Sequence, residues 1–246
     1  MSIEILFVGT GDAFGSGGRR NSAILVRSAG RTLLLDCGPT TAAGLKTLGV
    51  DPREIDAIAI SHFHGDHVAG VPFLLLDYLY QNPRSEPLEI LGPAGTRERV
   101  ERLAADFEYG VDPDGAFPLR YRSFEIGRTL EVGDFLVTPT SAHHAPQTRP
   151  HMLRVETDRR ALFYSGDTGW HEELPDKVGD VDLFVCECVY MQAGAYPLHM
   201  ATEELVRTRS RFRCRDLRLT HLGREVLDDL DRVPFDTADD GLRITL

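Results

Sequence analysis

Six consecutive residues, His62-Phe63-His64-Gly65-Asp66-His67, put three imidazoles and a carboxylate into one turn directly after the apolar run Ile58-Ala59-Ile60. Neutral imidazoles and a carboxylate crowded on one loop leave lone pairs that need an electrophile, and that donor set suits zinc or iron, with manganese open to added carboxylates. A metal site is the simplest chemistry for the stretch. Other acids and histidines also close apolar runs: Asp36 follows Thr32 to Leu35, the pair His143-His144 follows Phe135 to Thr140, and Asp167 follows Arg160 to Tyr164. Glu187 follows Val181 to Cys186, and His221 follows Leu217-Arg218-Leu219. Open α/β sheets place their ligands at the carboxyl ends of strands, so side-by-side strands would bring these donors together.

The elements that must position them read as follows. Ile3 to Val8 is a first buried strand, and Ala23 to Val26 with Thr32 to Leu35 is an antiparallel hairpin around Ser28-Ala29-Gly30. The glycine-rich stretch Gly11 to Gly18 lacks the G-x-x-x-x-G-K-[ST] pattern and is not read as a phosphate loop. Asp36 either caps the helix that starts near Pro39 to Thr41 or orients a metal-ligating histidine through its free ring nitrogen, and the two roles are compatible. That helix ends at Gly49, a strand over Ala57 to Ile60 delivers the histidine cluster, and Val68 to Tyr80 predicts one buried helix. Leu88 to Leu91 is a strand, and Thr96 to Phe107 has amphipathic helical spacing. From Leu119 to Thr140 the pattern predicts a meander over Tyr121 to Ile126, Thr129 to Val132 and Phe135 to Val137. Met152 to Thr157 and Arg160 to Tyr164 form a second hairpin, a helix opens near Leu198 to Thr202, and Leu242 to Leu246 predicts a closing strand. Two β-rich runs, each followed by α/β units, suggest a pseudo-duplicated architecture.

Composition bounds the function. The 246 residues, 42% hydrophobic and 26% charged, suit an α/β protein with one domain over 1–246. With 27 Lys+Arg against 38 Asp+Glu the net charge is −11, which argues against a broad nucleic-acid surface but not against small anions at a local metal centre. No signal-peptide pattern and no apolar stretch near the roughly 20 residues of a membrane helix is visible, so a cytoplasmic protein is expected. Cys37, Cys186, Cys188 and Cys214 show no C-x-x-C pattern and read as buried reduced thiols, Cys186 and Cys188 sharing a face with Phe184.

A lone histidine is more often structural than a ligand, but the joint order is specific. Ser61-His62-x-His64-x-Asp66-His67, a later histidine, Ser165-Gly166-Asp167-Thr168 and Thr220-His221-Leu222-Gly223 strongly resemble the ordered signature of the metallo-β-lactamase superfamily. Leu34 to Pro39 resembles its early acidic motif, and Gly9-Thr10-Gly11 with Asn21-Ser22 resembles the ribonuclease Z branch and its phosphodiesterase relatives. The resemblance covers nearly the whole chain. It implies an αββα sandwich of two mixed β-sheets flanked by helices, with a dinuclear site at one edge. It also implies His62, His64 and His144 on one metal, Asp66, His67 and His221 on the other, and Asp167 bridging. Two such cations, zinc first and manganese or iron as alternatives, can share a hydroxide and clamp a phosphoryl centre. His144 is preferred over His143 because Ala145 to Pro150 resembles the His-x-Pro-x-Thr-x-Pro run of compact members. His151 and His171 are left as surface or cleft-lining residues.

Within that branch, Glu187 resembles the acid of a Glu-Ala-Thr motif and His199 the histidine that opens a His-x-Thr helix. The acid would orient the histidine, which would protonate the leaving oxygen; the structural alternatives are a capping or paired acid and a polar residue at a helix start. Met200-Ala201-Thr202 is one residue longer than the shortest form of that motif. Asp66, Glu187 and His199 are therefore the catalytic candidates. The branch's bacterial enzymes carry a long tRNA-binding arm between the third and fourth metal motifs, for which His144 to Asp167 leaves no room. The expectation is a compact phosphodiesterase for a small anionic substrate such as a cyclic nucleotide, with tRNA disfavoured and a homodimer expected from the resemblance. A lactonase or thioesterase on the same site is the alternative, and a non-catalytic metal-dependent sensor or binding module is the alternative of another class.

Overall fold

Strand alternation decides which layer each apolar side chain meets. In β1 (Glu4–Gly9), Ile5 and Phe7 turn toward one core while Leu6 and Val8 turn toward another, so both faces of the strand are buried and the run reads as continuously apolar. The computed structural model describes residues 2–109 and 115–246. After β1 come β2 (Ala23–Ser28), β3 (Arg31–Leu35), α1 (Thr41–Thr47), β4 (Ala57–Ala59), α2 (Gly65–Val68), α3 (Val71–Tyr80), β5 (Leu88–Gly92), α4 (Thr96–Asp106) and β6 (Leu119–Ser123). The second half holds β7 (Leu130–Val132), β8 (Phe135–Ser141), β9 (His151–Glu156), β10 (Ala161–Tyr164), α5 (Leu174–Val178), β11 (Val181–Glu187) and α6 (Thr202–Thr208). It closes with β12 (Cys214–Thr220), α7 (Arg224–Asp228), β13 (Asp236–Thr237) and β14 (Arg243–Thr245).

Among the described residues these strands make two seven-stranded sheets, ordered β14-β1-β2-β3-β4-β5-β6 and β13-β12-β11-β10-β9-β8-β7. Each is mixed. The first is antiparallel from β14 to β3 and parallel from β3 to β6; the second is parallel from β13 to β10 and antiparallel from β10 to β7. Ile5, Phe7, Leu33 and Leu35 of the first sheet pack with Phe135, Val155, Leu162 and Val185 of the second in an inner core. Leu45, Leu74, Tyr78 and Val100 of α1, α3 and α4 cover the outer face of the first sheet. Leu174, Val178 and Leu205 of α5 and α6 cover the outer face of the second, together with Cys186 and Cys188. The layers are therefore α, β, β, α, as the signature implied.

Two elements differ from the sequence expectation. The stretch expected as one helix from Val68 to Tyr80 is two, broken at Ala69-Gly70, where the Gly70 N–H bonds the Cys37 carbonyl at 2.8 Å. A Cβ on Gly70 would meet the Gly38 carbonyl oxygen at 2.0 Å, so this close approach requires glycine and interrupts the helix. The expected first strand of the meander is also displaced. Residues 119–123 form β6, parallel to β5 in the first sheet, while β7 and β8 belong to the second. β6 is an edge strand partly exposed on both faces, so its alternation gave no information about which sheet it joins.

Candidate metal centre

The carboxyl ends of β3, β4, β8, β10, β11 and β12 meet at one edge of the sandwich. β4 leads into Ser61 and the His62 to His67 turn, β10 into Asp167, β11 ends on Glu187, and β12 leads into His221. Donor atoms of His62, His64, His144 and Asp167 lie within 4.8 Å of one another, as do those of Asp66, His67, Asp167 and His221. Asp167 divides its oxygens between the two groups. Oδ2 lies 3.6 Å from His62 Nε2 and 3.8 Å from His144 Nε2, whereas Oδ1 lies 3.2 Å from His67 Nε2 and 3.6 Å from His221 Nε2. All seven residues named from the signature come together here, and the ring of His143 stays outside. The His143 backbone N–H bonds Thr168 Oγ1, and its exposed ring sits 6.4 Å from that of His171. The backbone N–H of His151, on β9, bonds the Ser61 carbonyl at 3.0 Å, but its half-buried ring lies against Phe124 with Nδ1 on the Arg149 carbonyl.

The rings are held from behind. His67 Nδ1 lies 2.7 Å from Asp36 Oδ2, and His144 Nδ1 lies 2.8 Å from the Leu198 carbonyl, which can only accept. Ser61 Oγ donates to Asp36 Oδ2 at 2.8 Å, so its remaining contact, 3.0 Å to His62 Nδ1, must be one in which the imidazole donates. Asp36 thereby fixes two rings, His67 directly and His62 through Ser61. It also accepts from the Ser61 backbone N–H at 2.7 Å and the Tyr164 hydroxyl at 2.7 Å. Thr40 precedes α1 with no side-chain cap, so of the two roles open to Asp36 the orienting one is what the geometry contains. Asp36 and His221 sit at φ 58° and 53°, in the left-handed region that costs roughly 1 kcal/mol or more, and the surrounding bonds hold them there.

With the outer nitrogens of His62, His67 and His144 engaged, their inner nitrogens face the neighbouring rings as lone pairs, while the buried His221 Nδ1 has no partner. His62 Nε2 is 3.1 Å and His144 Nε2 3.0 Å from His64 Nδ1, and His67 Nε2 is 3.4 Å from His221 Nε2. The buried Asp167 Oδ1 accepts no hydrogen bond. Converging lone pairs and an unpartnered buried carboxylate oxygen fit divalent cations, since metal binding replaces the protons such ligands would otherwise share. The electrostatics agree. Burial opposes charge on His67 and His221, yet Asp167 and Asp66 outweigh it, holding His67 well above the usual histidine range and raising His221 to about 9.

Next to the clusters stands a second pair. His199 Nδ1 donates to Glu187 Oε1 at 2.8 Å, and Glu187 also accepts from the backbone N–H of Thr168 at 2.9 Å and of Met200 at 3.3 Å. His199 Nδ1 is 4.0 Å from Asp167 Oδ2. Gly169 permits this approach, since a Cβ there would lie 1.8 Å from the Pro197 carbonyl oxygen. Sequence reasoning passed over Ser61 as a relay and Tyr164 as a donor. The available signal was a tyrosine closing a buried strand, where its hydroxyl needs a partner. It also passed over Phe14, Tyr190 and Tyr196, which line the cleft above the clusters.

Two mixed sheets between helices, with a pair of histidine-aspartate clusters at the strand ends, are the arrangement of the metallo-β-lactamase superfamily. The chain belongs to that superfamily: the beta-lactamase superfamily domain matches residues 31–222. It is similar to ribonuclease Z of Methanothermobacter thermautotrophicus, 30% identical over 72% of this chain and 60% of the relative. It is also similar to ribonuclease Z of Halorubrum lacusprofundi, 36% identical over 73% of this chain and 55% of the relative. The match thus spans under two thirds of those relatives' length. The metallo-beta-lactamase fold protein YhfI from Bacillus subtilis shares the fold, with a TM-score of 0.80 at 23% identity over 98% of this chain and 99% of that one. Among the described residues no helix is long and apolar enough to cross a membrane.

Proposed function

We propose that residues 1–246 act as one domain, a dinuclear phosphodiesterase for a small anionic phosphodiester. His62, His64 and His144 would hold one ion, Asp66, His67 and His221 the other, and Asp167 would bridge them; the imidazole-rich donor set favours zinc. Bound there, two cations would acidify a water and polarise a phosphoryl group. The protein's own residues do the rest. Asp36, Ser61 and the Leu198 carbonyl keep the rings aimed inward. Water loses one proton to solvent and adds its oxygen to phosphorus, the bond to the leaving oxygen breaks, and His199 gives that oxygen a proton that it later regains from solvent. Glu187, held as an acceptor by Thr168 and Met200, keeps His199 oriented and, against the effect of burial, raises its imidazole above the ordinary value.

The observation that carries this reading is the 2.8 Å Glu187–His199 pair beside Asp167, because a positioned proton donor serves a poor alkoxide leaving group. The span from His144 to Asp167 supports a small substrate: it holds only a 3₁₀ turn at Pro146–Thr148 and the β9–β10 hairpin, with no arm to grip a tRNA. The test is turnover by the zinc-loaded protein of bis(4-nitrophenyl) phosphate, 2′,3′-cyclic nucleotides and a lactone panel. Lactone turnover without phosphodiester turnover would sink the proposal. His199→Ala should cost about 10²–10⁴-fold on the cyclic nucleotide and much less on the nitrophenyl ester, whose leaving group needs no proton. Equal losses on both would remove His199 from the proton-donor role.

A further inference from the structure

The cleft over the two clusters, about 390 Å³ in volume, lies at the small end of the roughly 300–1,000 Å³ range of ligand clefts. Its floor is the histidine-aspartate edge, and above it Asp12, Ala13 and Val189 line the cleft together with three aromatic rings. Phe14 comes from the loop after β1, and Tyr190 and Tyr196 come from the segment between β11 and α6. Among the described residues no lysine or arginine lines it. Phe14 is 89% exposed and Tyr196 is 46% exposed, so neither ring is spent on the protein's own core. The loop that presents Phe14 is nevertheless fixed. Asp12 Oδ1 accepts the backbone N–H groups of Phe14 at 3.1 Å and Ser16 at 2.9 Å, and Oδ2 accepts the Ser16 hydroxyl at 2.7 Å. On the other segment Tyr196 stacks over His199 with centroids 5.8 Å apart at 30°, and Tyr190 lies 6.4 Å from Tyr196.

We propose that Phe14, Tyr190 and Tyr196 form a stacking subsite for the nucleobase of a mononucleotide-sized phosphodiester, deepening the phosphodiesterase reading on which it rests. The chemistry is one of complementarity. A polynucleotide presents a row of phosphates and needs cations along its path, whereas this cleft concentrates its attraction for anions at one point. Beside that point it offers π faces, which stack on a base without reading its edges, so selectivity among bases should be weak. The Gly11 to Gly18 stretch thus contributes an aromatic face held by an aspartate, and no phosphate cradle.

The experiment compares 2′,3′-cyclic AMP with glycerol 1,2-cyclic phosphate, which has the same five-membered ring and no base. In the zinc-loaded protein kcat/KM should favour the cyclic nucleotide at least about ten-fold, and Phe14→Ala or Tyr196→Ala should each shrink that ratio by about ten-fold, mainly through KM. Tyr196→Phe should keep it. In parallel, calorimetry should find AMP binding about ten-fold tighter than ribose 5-phosphate, with the difference lost in the Phe14→Ala, Tyr196→Ala double variant. If both diesters turn over equally well and AMP binds no better than ribose 5-phosphate, the subsite is wrong while the phosphodiesterase reading survives. If neither diester turns over but AMP keeps its advantage, the catalytic reading is wrong and the subsite stands.

Discussion

His62, His64 and His144 form a neutral cluster, while Asp66, His67 and His221 form an acidic one, although both share Asp167. Burial pushes His62, His64 and His144 below the usual histidine range. In the second cluster three buried carboxylates, Asp36, Asp66 and Asp167, surround His67 and overcome the same burial. Asp167 and Asp66, on the inner side, contribute most to that difference, and what stands behind each ring adds to it. The His144 ring rests on a carbonyl and the His62 ring reaches a carboxylate only through the Ser61 hydroxyl, whereas His67 is backed by a carboxylate directly. A charged acceptor makes an imidazole a stronger ligand than a neutral one does, so the two positions should hold a metal with different strength.

The largest test of that comparison removes what the clusters share. Asp167→Asn keeps the shape but takes away the one oxygen pair that faces both groups. It should lower bound zinc from two equivalents to one or fewer, and cost more activity than the about 100-fold typical of a lost supporting contact, as read by metal analysis and steady-state rates. Retention of both metals with full activity would break the bridging assignment. A smaller, one-sided effect is expected from Asp36→Asn. Asparagine tolerates the φ of 58° at this position, so the backbone should stay as it is, but an amide cannot replace all four acceptor contacts. Zinc affinity should fall about 10- to 100-fold, chiefly at the His67 position, by competition with a chelating dye. Equal weakening of both ions would show that the Ser61 relay to His62 matters as much as the direct bond. The smallest effect concerns the thiols near the site. Burial pushes Cys37 and Cys188 up to about 12, and all four cysteines are buried and free. Native protein should therefore react with no aromatic disulfide reagent on the minute scale, while unfolded protein should titrate four thiols; fast native labelling would refute the buried reading.

Much of this was legible without coordinates, and the parts that were not share a cause. Four donors within six residues stay neighbours whatever the rest of the chain does, so the His62 to His67 turn identified itself. The runs that lead to Asp167 and Glu187 were equally plain, because a strand buried on both faces is almost continuously apolar and stops where polar chemistry starts, whereas the run before His221 is partly exposed and interrupted by Arg215, Asp216 and Arg218. Those local patterns, and their order, were determined by the sequence alone. The choice between His143 and His144 rested on resemblance, since both lie in a bend after β8 and only tertiary contacts, His144 on the Leu198 carbonyl and His143 beside His171, say which ring faces the cleft. The sheet that β6 joins, the bond from Tyr164 to Asp36 across 128 positions, and the meeting of Phe14 with Tyr190 and Tyr196 above the metal edge were decided by tertiary structure. Each depends on how two sheets pack and where two distant loops come to rest, quantities set by long-range burial that leave no periodic trace in the chain.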